Sequence, residues 1–392
     1  MIAITRLLAL DGPNLLGPQP SVLLELAADH DQRQAVVLRL KEAAQRVGLV
    51  LAALQAFTLP AVSGYLIEVR FTTPTPALGA AVARYVVESL RAKLAGDTEW
   101  DDDQHLFELL QRRRADALPL ASLQLIAEAN SRVIPCFRRG DGSLQLGYGV
   151  RGMTMPVARA PNLDVLPVDT IGIRTAVLLP SAPPTPDWSQ LGRIPLLSLS
   201  GPDICCQETI ESWCRLSSDA RIAASRWPAS ACMLQNADFD QVRTVLEDSA
   251  CTALMLGLQA QSVAERGLPF DACDACAILG LPDIQGDAEQ RAQIAGLPLL
   301  ITHPDGVAAL NADIPELAML ADYAACRVIW YSQHEDRVAR SIRPGDAGIV
   351  LRGQQLWVLA DGQDCALADL LPDLSVAGQL AAWALVWGIQ AW

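Results

Sequence analysis

The sequence predicts an α/β protein: a small mixed α/β domain at the amino end, then a larger domain built on a mostly parallel sheet with helices on both faces. Three observations predict this. The first third of the chain alternates strand-like and helix-like periods. The stretch Pro180-Ser-Ala-Pro-Pro-Thr-Pro186 puts four prolines in seven residues, which favours an extended, semi-rigid connector. Beyond it, apolar runs of four to six residues recur between helical spacers, the pattern of parallel strands buried on both sides. The expected division is a first domain over 1–165, a linker over 166–190 and a second domain over 191–392.

Met1 to Leu10 and Ser21 to Ala27 read as strands around the turn Gly12-Pro13. Val36, Leu40, Ala43 and Val47 recur at helical spacing, so Asp31 to Val47 is an amphipathic helix with Asp31 as its N-cap. Gly64 to Phe71 is strand-like, and Pro76 to Leu94 is a helix with Leu78, Val82, Val86 and Leu90 on one face. The acidic run Asp97 to Asp103 reads as a solvated loop, with a cation site as the sharper alternative. Two short helices follow. Ile134 to Arg139, the turn Gly140-Asp141-Gly142 and Leu144 to Val150 then form a hairpin signature. After the connector come strands at Ile194 to Leu199, Ala253 to Leu258, Cys276 to Leu281, Pro298 to Thr302, Val307 to Leu310 and Arg327 to Tyr331. Helices are expected at Cys206 to Leu216 and Gln379 to Trp392.

Composition narrows the function. Of 392 residues, 51% are hydrophobic and 19% charged, a core-forming balance. A net charge of −14 disfavours nucleic acid and anionic membrane surfaces, both of which select basic patches. No apolar run reaches the roughly 18–20 residues of a membrane span. The amino end runs into a strand pattern without a small-residue cleavage site, so the expectation is a cytoplasmic protein without a signal peptide. Ten cysteines are too sparse for a disulfide scaffold. Cys273-Asp-Ala-Cys276 is formally a CxxC, but residues three apart on a strand face opposite ways, which argues against a shared metal. Lysine occurs only at positions 41 and 93, so any chemistry needing a lysine is excluded from 94–392. His30, His105, His303 and His334 are scattered, and no nucleophile elbow, zincin pair or four-cysteine pattern is present. Trp383, Trp387 and Trp392 recur on the last helix; they bury it, or they anchor a partner.

The order of several motifs resembles the cyanophycin synthetases. Asp11-Gly12-Pro13-Asn14 and Leu144-Gln-Leu-Gly-Tyr-Gly149 resemble the start and end of that family's amino-terminal domain. Gly192-Arg193-Ile194-Pro195 resembles the entry to its Mur-ligase-like module. Arg266-Gly-Leu-Pro-Phe-Asp-Ala-Cys-Asp274, Leu310-Asn-Ala-Asp313 with Pro315, and Arg327-Val-Ile-Trp-Tyr-Ser332 resemble segments inside that module. The resemblance implies that 191–392 is a degenerate Mur-ligase-like central domain, a three-layer sheet domain. It also implies a relation to enzymes that make a poly-aspartate backbone bearing arginine on each side chain, using one ATP site for aspartate and another for arginine.

The chain departs from that plan. Only about forty residues separate Gly149 from Gly192, too few for the family's ATP-grasp module, and the sequence stops at Trp392, before a carboxy-terminal Mur domain. Where relatives carry Gly-Thr-Asn-Gly-Lys-Thr-Thr, this chain has Gly201, Pro202, Asp203, Ile204, Cys205, Cys206 and Gln207. Such a loop holds phosphate with consecutive backbone N–H groups, a lysine and a Mg²⁺-binding threonine. Pro202 deletes a donor, Ile204 replaces a glycine with a residue that resists positive φ, Cys205 and Cys206 replace Lys and Thr, and Asp203 adds negative charge. The family's Mg²⁺-binding Glu falls at Gly257, and its Asn-Val-Ser-Glu-Asp-His becomes Gly280-Leu-Pro-Asp-Ile-Gln285, leaving Asp283 as a lone carboxylate. Asn311 and Asp313 persist, for which turn geometry alone is sufficient.

In some relatives the amino-terminal domain carries a metallopeptidase-like site on a Glu-rich strand. Here Arg70, Thr72 and Thr73 stand at acidic positions, and Glu68 and His105 are the remaining ligand candidates, short of the three that a hydrolytic metal needs. The resulting expectation is a pseudoenzyme with no catalytic residues, no metal and no cofactor. It would act as a structural or regulatory partner of an active cyanophycin synthetase, through self-association, or on a cyanophycin-type polymer. The alternatives are an ATP-dependent amide ligase with a divergent nucleotide site, and a metal-dependent hydrolase of β-Asp-Arg polymer.

Overall fold

The structure, a computed structural model, describes residues 2–62, 64–157, 186–217, 231–360 and 363–390. Residues 166–185 of the expected linker, and Trp392, lie outside the described residues. The elements begin with β1 (Ile2–Leu10), β2 (Ser21–Ala28), α1 (Arg33–Val47), β3 (Ala52–Ala61), β4 (Gly64–Thr72), α2 (Pro76–Ala95) and α3 (Asp102–Asp116). They continue through α4 (Leu120–Ser131), β5 (Cys136–Arg138), β6 (Leu144–Leu146), β7 (Met153–Met155), β8 (Leu196–Ser200), α5 (Asp203–Ser217), β9 (Cys232–Ala237), α6 (Phe239–Glu247), β10 (Leu254–Leu258) and α7 (Ala260–Arg266). The remainder are β11 (Cys273–Ile278), α8 (Ala288–Ala295), α9 (Leu297–Leu300), β12 (Thr302–Asn311), α10 (Pro315–Ala318), β13 (Arg327–Ser332), α11 (Glu335–Ser341), β14 (Ala347–Arg352), β15 (Gln355–Ala360), β16 (Gln363–Asp369) and α12 (Val376–Gln390).

The chain forms two compact units. One comprises Met1–Ala115, Pro195–Arg243 and Leu254–Trp392; the other comprises Asp116–Ile194 and Thr244–Ala253. The first holds an antiparallel sheet ordered β1-β2-β4-β3 and a nine-stranded sheet ordered β16-β15-β14-β13-β12-β11-β8-β10-β9. In the small sheet, Val22, Leu24 and Leu26 of β2 and Ile67, Val69 and Phe71 of β4 share a buried face with Val36, Leu40, Val82 and Val86 of the helices. Each such side chain contributes about 1.5–3 kcal/mol by leaving water. The large sheet is parallel from β9 to β14, and only β15 and β16 run antiparallel. α5 and α12 cover one of its faces, packing on Leu197, Leu199, Ala277, Val307, Ile329 and Ile349. The fold is therefore α/β, with the mostly parallel sheet that the apolar runs imply.

In the second unit β5, β6 and β7 form a small antiparallel sheet over Ala129, Ile134, Leu146, Met155 and Leu191. There the Leu-Gly-Tyr-Gly hairpin meets Gly192. The Tyr148 N–H donates to Gly192 O at 2.9 Å, and the Gly192 N–H donates to Arg151 O at 3.0 Å.

Several expectations need correction. Pro298 to Thr302 is not a strand: Leu297–Leu300 is a short helix with Pro298 in its first turn, and the strand begins at Thr302. A short apolar run cannot separate the two by periodicity, and proline suits a helix start. Helix α1 begins at Arg33; Asp31 is not its N-cap but does accept the Arg33 N–H at 2.9 Å. Strands β3, β7, β9, β14, β15 and β16 are not among the predicted elements. Both members of the CxxC lie inside β11, where the register breaks between Cys273 and Ala275. The extra residues at the break are on β12, and Thr302 there meets both sulfurs: they lie 3.3 and 3.2 Å from its Oγ1, and both thiols are buried. Of the tryptophan series, Trp383 and Trp387 bury the last helix, the first of the two readings given for them. Trp383 is 5% exposed, and Trp387 lies against the core with the Arg327 guanidinium 4.6 Å over its ring. Among the described residues no helix is long and apolar enough to cross a membrane.

Candidate functional site

In an open parallel sheet, ligands bind beyond the carboxyl ends of the strands, where successive connections leave in opposite directions. Here that place is the end of β8: the chain goes from β8 to β9 and β10 on one side, then returns to β11 on the other. The turn Gly201 to Gln207 stands there, between β8 and α5.

Gly201 has φ 145°, and a Cβ at this position would lie 2.8 Å from Gly280 N, so the residue at the head of the turn must be glycine. After it the chain closes directly into a helix. Pro202 packs on Gly280, and the N–H groups of Cys205 and Cys206 both donate to Pro202 O, at 3.0 and 3.1 Å. Asp203 places its carboxylate in the first turn, where the helix dipole favours it, and Ile204 is 59% exposed. Cys205 is half-buried, and Cys206 is 3% exposed. Burial pushes the Cys206 thiol up to about 12, with Cys205 and Asp203 adding to the effect. Burial, then Glu208, raises the Cys205 thiol as well. Both therefore stay protonated at neutral pH and present neither a cation nor a thiolate.

The neighbouring positions fit around these side chains. A Cβ on Gly257 would come 3.1 Å from Cys206 Cβ, so Cys206 occupies the space that a side chain at 257 needs. Tyr331, at the end of β13, is buried; burial first, then Cys205, Cys206 and Asp313, raises its hydroxyl well above its ordinary value. Asn311 Nδ2 donates to Leu279 O at 3.0 Å, and its Oδ1 accepts the Asp313 N–H at 2.9 Å. Asp313 Oδ1 in turn accepts from Ser332 Oγ at 2.6 Å and Arg337 at 3.0 Å. Asn311 and Asp313 thus join the ends of β11, β12 and β13. Asp283 is exposed. The turn, Gly257, Gly280 and the Asn311 to Asp313 segment, scattered in sequence, are brought together; an acid–base pair or a nucleophile beside a base is not among the contacts they make.

Glu68 and His105 are not brought together. Glu68 alternates with the buried Ile67 and Val69, so it points away from the helices, where it pairs with Arg70. His105 is on α3, on the helical side, stacked on Trp100 at 4.1 Å with its Nδ1 2.8 Å from Asp101 O. Among the described residues no group of three His, Cys, Asp or Glu side chains converges with metal-holding geometry.

Two features of this region were missed from the sequence. The acidic run is not uniformly solvated. Asp102 accepts hydrogen bonds from Arg39 at 2.6 Å, Ser89 at 2.7 Å, Trp100 Nε1 at 2.8 Å and Tyr85 at 3.0 Å. Burial opposes its ionisation, but these four donors outweigh burial and hold its carboxyl below the usual carboxylate range. The same setting, burial first and then Asp102, pushes Tyr85 up to about 12. Beside this knot a cavity of about 610 Å³ opens between α2, α3 and β1, floored by alanines and bordered by Arg84, Glu88, His105, Glu108 and Arg112. The signal for it was present: Arg84/Glu88 and Glu108/Arg112 are opposite charges at i,i+4 spacing on two helices.

Comparison with known proteins finds similarity to cyanophycin synthetases. The chain is 32% identical over 99 residues to a cyanophycin synthetase of Crocosphaera subtropica and 31% identical over 99 residues to one of Synechocystis sp.. Each match covers 24% of this chain and only 11% of the relative's own length. A family model covers far more, residues 1–331. By that match, the chain, with its four-stranded sheet and the closed turn at the end of β8, belongs to the family described as Domain of unknown function (DUF4938).

Proposed function

We propose that this chain is a catalytically inactive relative of the cyanophycin synthetases, serving as a structural or regulatory partner in the metabolism of cyanophycin or a related β-aspartyl polymer. The Gly201 to Gln207 turn carries this reading. Phosphate binding at such a turn needs free amide hydrogens, a cation and a Mg²⁺ ligand. The amides of Cys205 and Cys206 are engaged by Pro202 O, the residue at the lysine position is a neutral thiol, and Cys206 fills the space at Gly257. The cavity bordered by Arg84, Glu88, Glu108 and Arg112 supports the polymer part of the reading, because cyanophycin displays carboxylate and guanidinium side by side.

Titration of the chain with ATP and Mg²⁺ tests the central claim. The expected result is no saturable binding up to millimolar nucleotide, whereas low-micromolar binding would overturn the reading in favour of a divergent amide ligase. Incubation with cyanophycin and a divalent metal tests the hydrolase alternative, and release of shorter chains would restore it. Co-purification with an active cyanophycin synthetase at micromolar concentration is the expected result of the partner reading; its absence counts against that role.

A further inference from the structure

The amino-terminal sheet ends in a strand with an open edge and no charge. β3 is last in the order β1-β2-β4-β3, so one edge bonds β4 and the other is free of any strand among the described residues. From Val47 to Ile67 the sequence contains no Asp, Glu, Lys, Arg or His, although 19% of the whole chain is charged. Soluble proteins ordinarily blunt a free edge with charge, proline or a register break. The opposite edge does so: β1 carries Arg6 and breaks register between Ile4 and Arg6. On β3 such devices stand only at the ends, a register break between Ala52 and Gln55 and a proline at Pro60. Between them Gln55 to Leu59 runs in unbroken register with β4, and Phe57 and Leu59 are 46% and 59% exposed.

We infer that this edge is a self-association surface, on which β3 of one copy pairs antiparallel with β3 of a second copy about a twofold axis at Phe57. That register sets Phe57 against Phe57, Ala56 against Thr58 and Gln55 against Leu59, so an aromatic pair sits at the centre of the ladder. Pairing satisfies the outward N–H and C=O groups of both edges, and the twofold closes the assembly at two. The absence of charge on the strand itself selects the occupant. The charged groups beside the strand are already engaged, Arg70 by Glu68 and the Phe57 ring and Asp31 by the Thr58 hydroxyl, so they offer little to a partner recognised by charge, whereas two copies of net charge −14 approach most easily through a strand that carries none. The inference deepens the partner half of the proposed function. It concerns a surface remote in sequence from the nucleotide turn, so association and nucleotide titration can fail separately.

Sedimentation of the full chain tests it, comparing wild type, Phe57→Lys and, as a control on the same outward sheet face, Ala27→Lys. The wild type is expected to dimerise at micromolar concentration. Phe57→Lys should weaken the dimer about thirtyfold or more, the loss that follows removal of an interface hot spot, and Ala27→Lys should not. Cys214 and Cys365 are exposed, so a Phe57→Cys variant with both replaced by serine gives a second readout. Mild oxidation should join two copies through the introduced thiols, and this holds even if the lysine variant folds poorly. A wild type that stays monomeric, a Phe57→Lys variant that dimerises with wild-type affinity, or an oxidised Phe57→Cys sample without the crosslink would each overturn the inference. So would capture of a cyanophycin synthetase at this edge by a chain that does not pair with itself.

Discussion

At the scale of single residues, two positions bear on the proposed loss of nucleotide binding and on the response to pH. The proposed reading sets Gly257 at the position of a metal-binding glutamate, and a Cβ there would lie 3.1 Å from Cys206 Cβ. Gly257→Glu should therefore cost about 1–3 kcal/mol through overpacking, read as a lower urea midpoint, without creating Mg²⁺ affinity. Cys206→Ala should not relieve the cost, because the contact is with the Cβ that alanine keeps. Asp102 is the second position. Its folded pKa lies below the unfolded value of about 3.9, so its contribution is complete above that pH and is lost as pH falls further, through the folded pKa. Asp102→Asn should lower stability by about 1.5–3 kcal/mol at neutral pH, the range for hydrogen bonds to a charged group. It should also flatten the acid side of the stability profile, and thermal melts between neutral pH and the strongly acidic range measure both. The role of Asp102 was not legible among the seven residues Asp97 to Asp103, because its four donors come from α1, α2 and the turn before α3.

At the scale of elements, two of the recognisable segments turn out to be one piece of structure. The Gly12-Pro13 turn after β1 seats on the α7–β11 connection. Gly12 lies so close that a Cβ would fall 1.8 Å from Leu268 O, and the Leu268 N–H donates to Pro13 O at 2.7 Å. Arg266 clamps the contact: it reaches Asp11 at 2.9 Å and Asp240 at 2.8 Å while its guanidinium covers the Phe239 ring at 4.1 Å. Arg266→Ala should lower the unfolding free energy by about 1–2 kcal/mol, more than an isolated surface pair because the charge is shared and stacked. Arg266→Lys should recover less than half of the loss, since an ammonium cannot fork between two carboxylates and stack as well; chemical denaturation separates the two outcomes. Asp11-Gly-Pro-Asn and Arg266-Gly-Leu-Pro-Phe-Asp could be read as motifs from sequence, but not that they touch. The helix at Leu297–Leu300 and the strands β14 to β16 were illegible for a different reason: short apolar or mixed runs fit either period until neighbours decide.

For the whole molecule, net charge sets how copies meet. At −14 the chains repel one another at long range, and the proposed β3 contact contains no ion pair to offset this. Raising salt from about 0.01 to 0.15 M shortens the Debye length from about 30 to 8 Å. The dimer should then tighten, and sedimentation across that range measures it. An interface held by charge pairs would show the opposite slope, which makes salt dependence an independent check on which surface is used.

Sequence by itself determined the α/β class, the places of most strands along the chain and the residues Gly201 to Gln207 on which the proposed loss of phosphate binding rests, because period, proline placement and residue chemistry are local properties of a chain. Only the tertiary structure decided that Cys206 and Gly257 share one space, that Asp102 gathers four donors, that Glu68 and His105 lie on opposite sides of a sheet, and that β3 is left at an edge. Those facts depend on which distant segments become neighbours, and strand order in a sheet is set by the packing of the whole core.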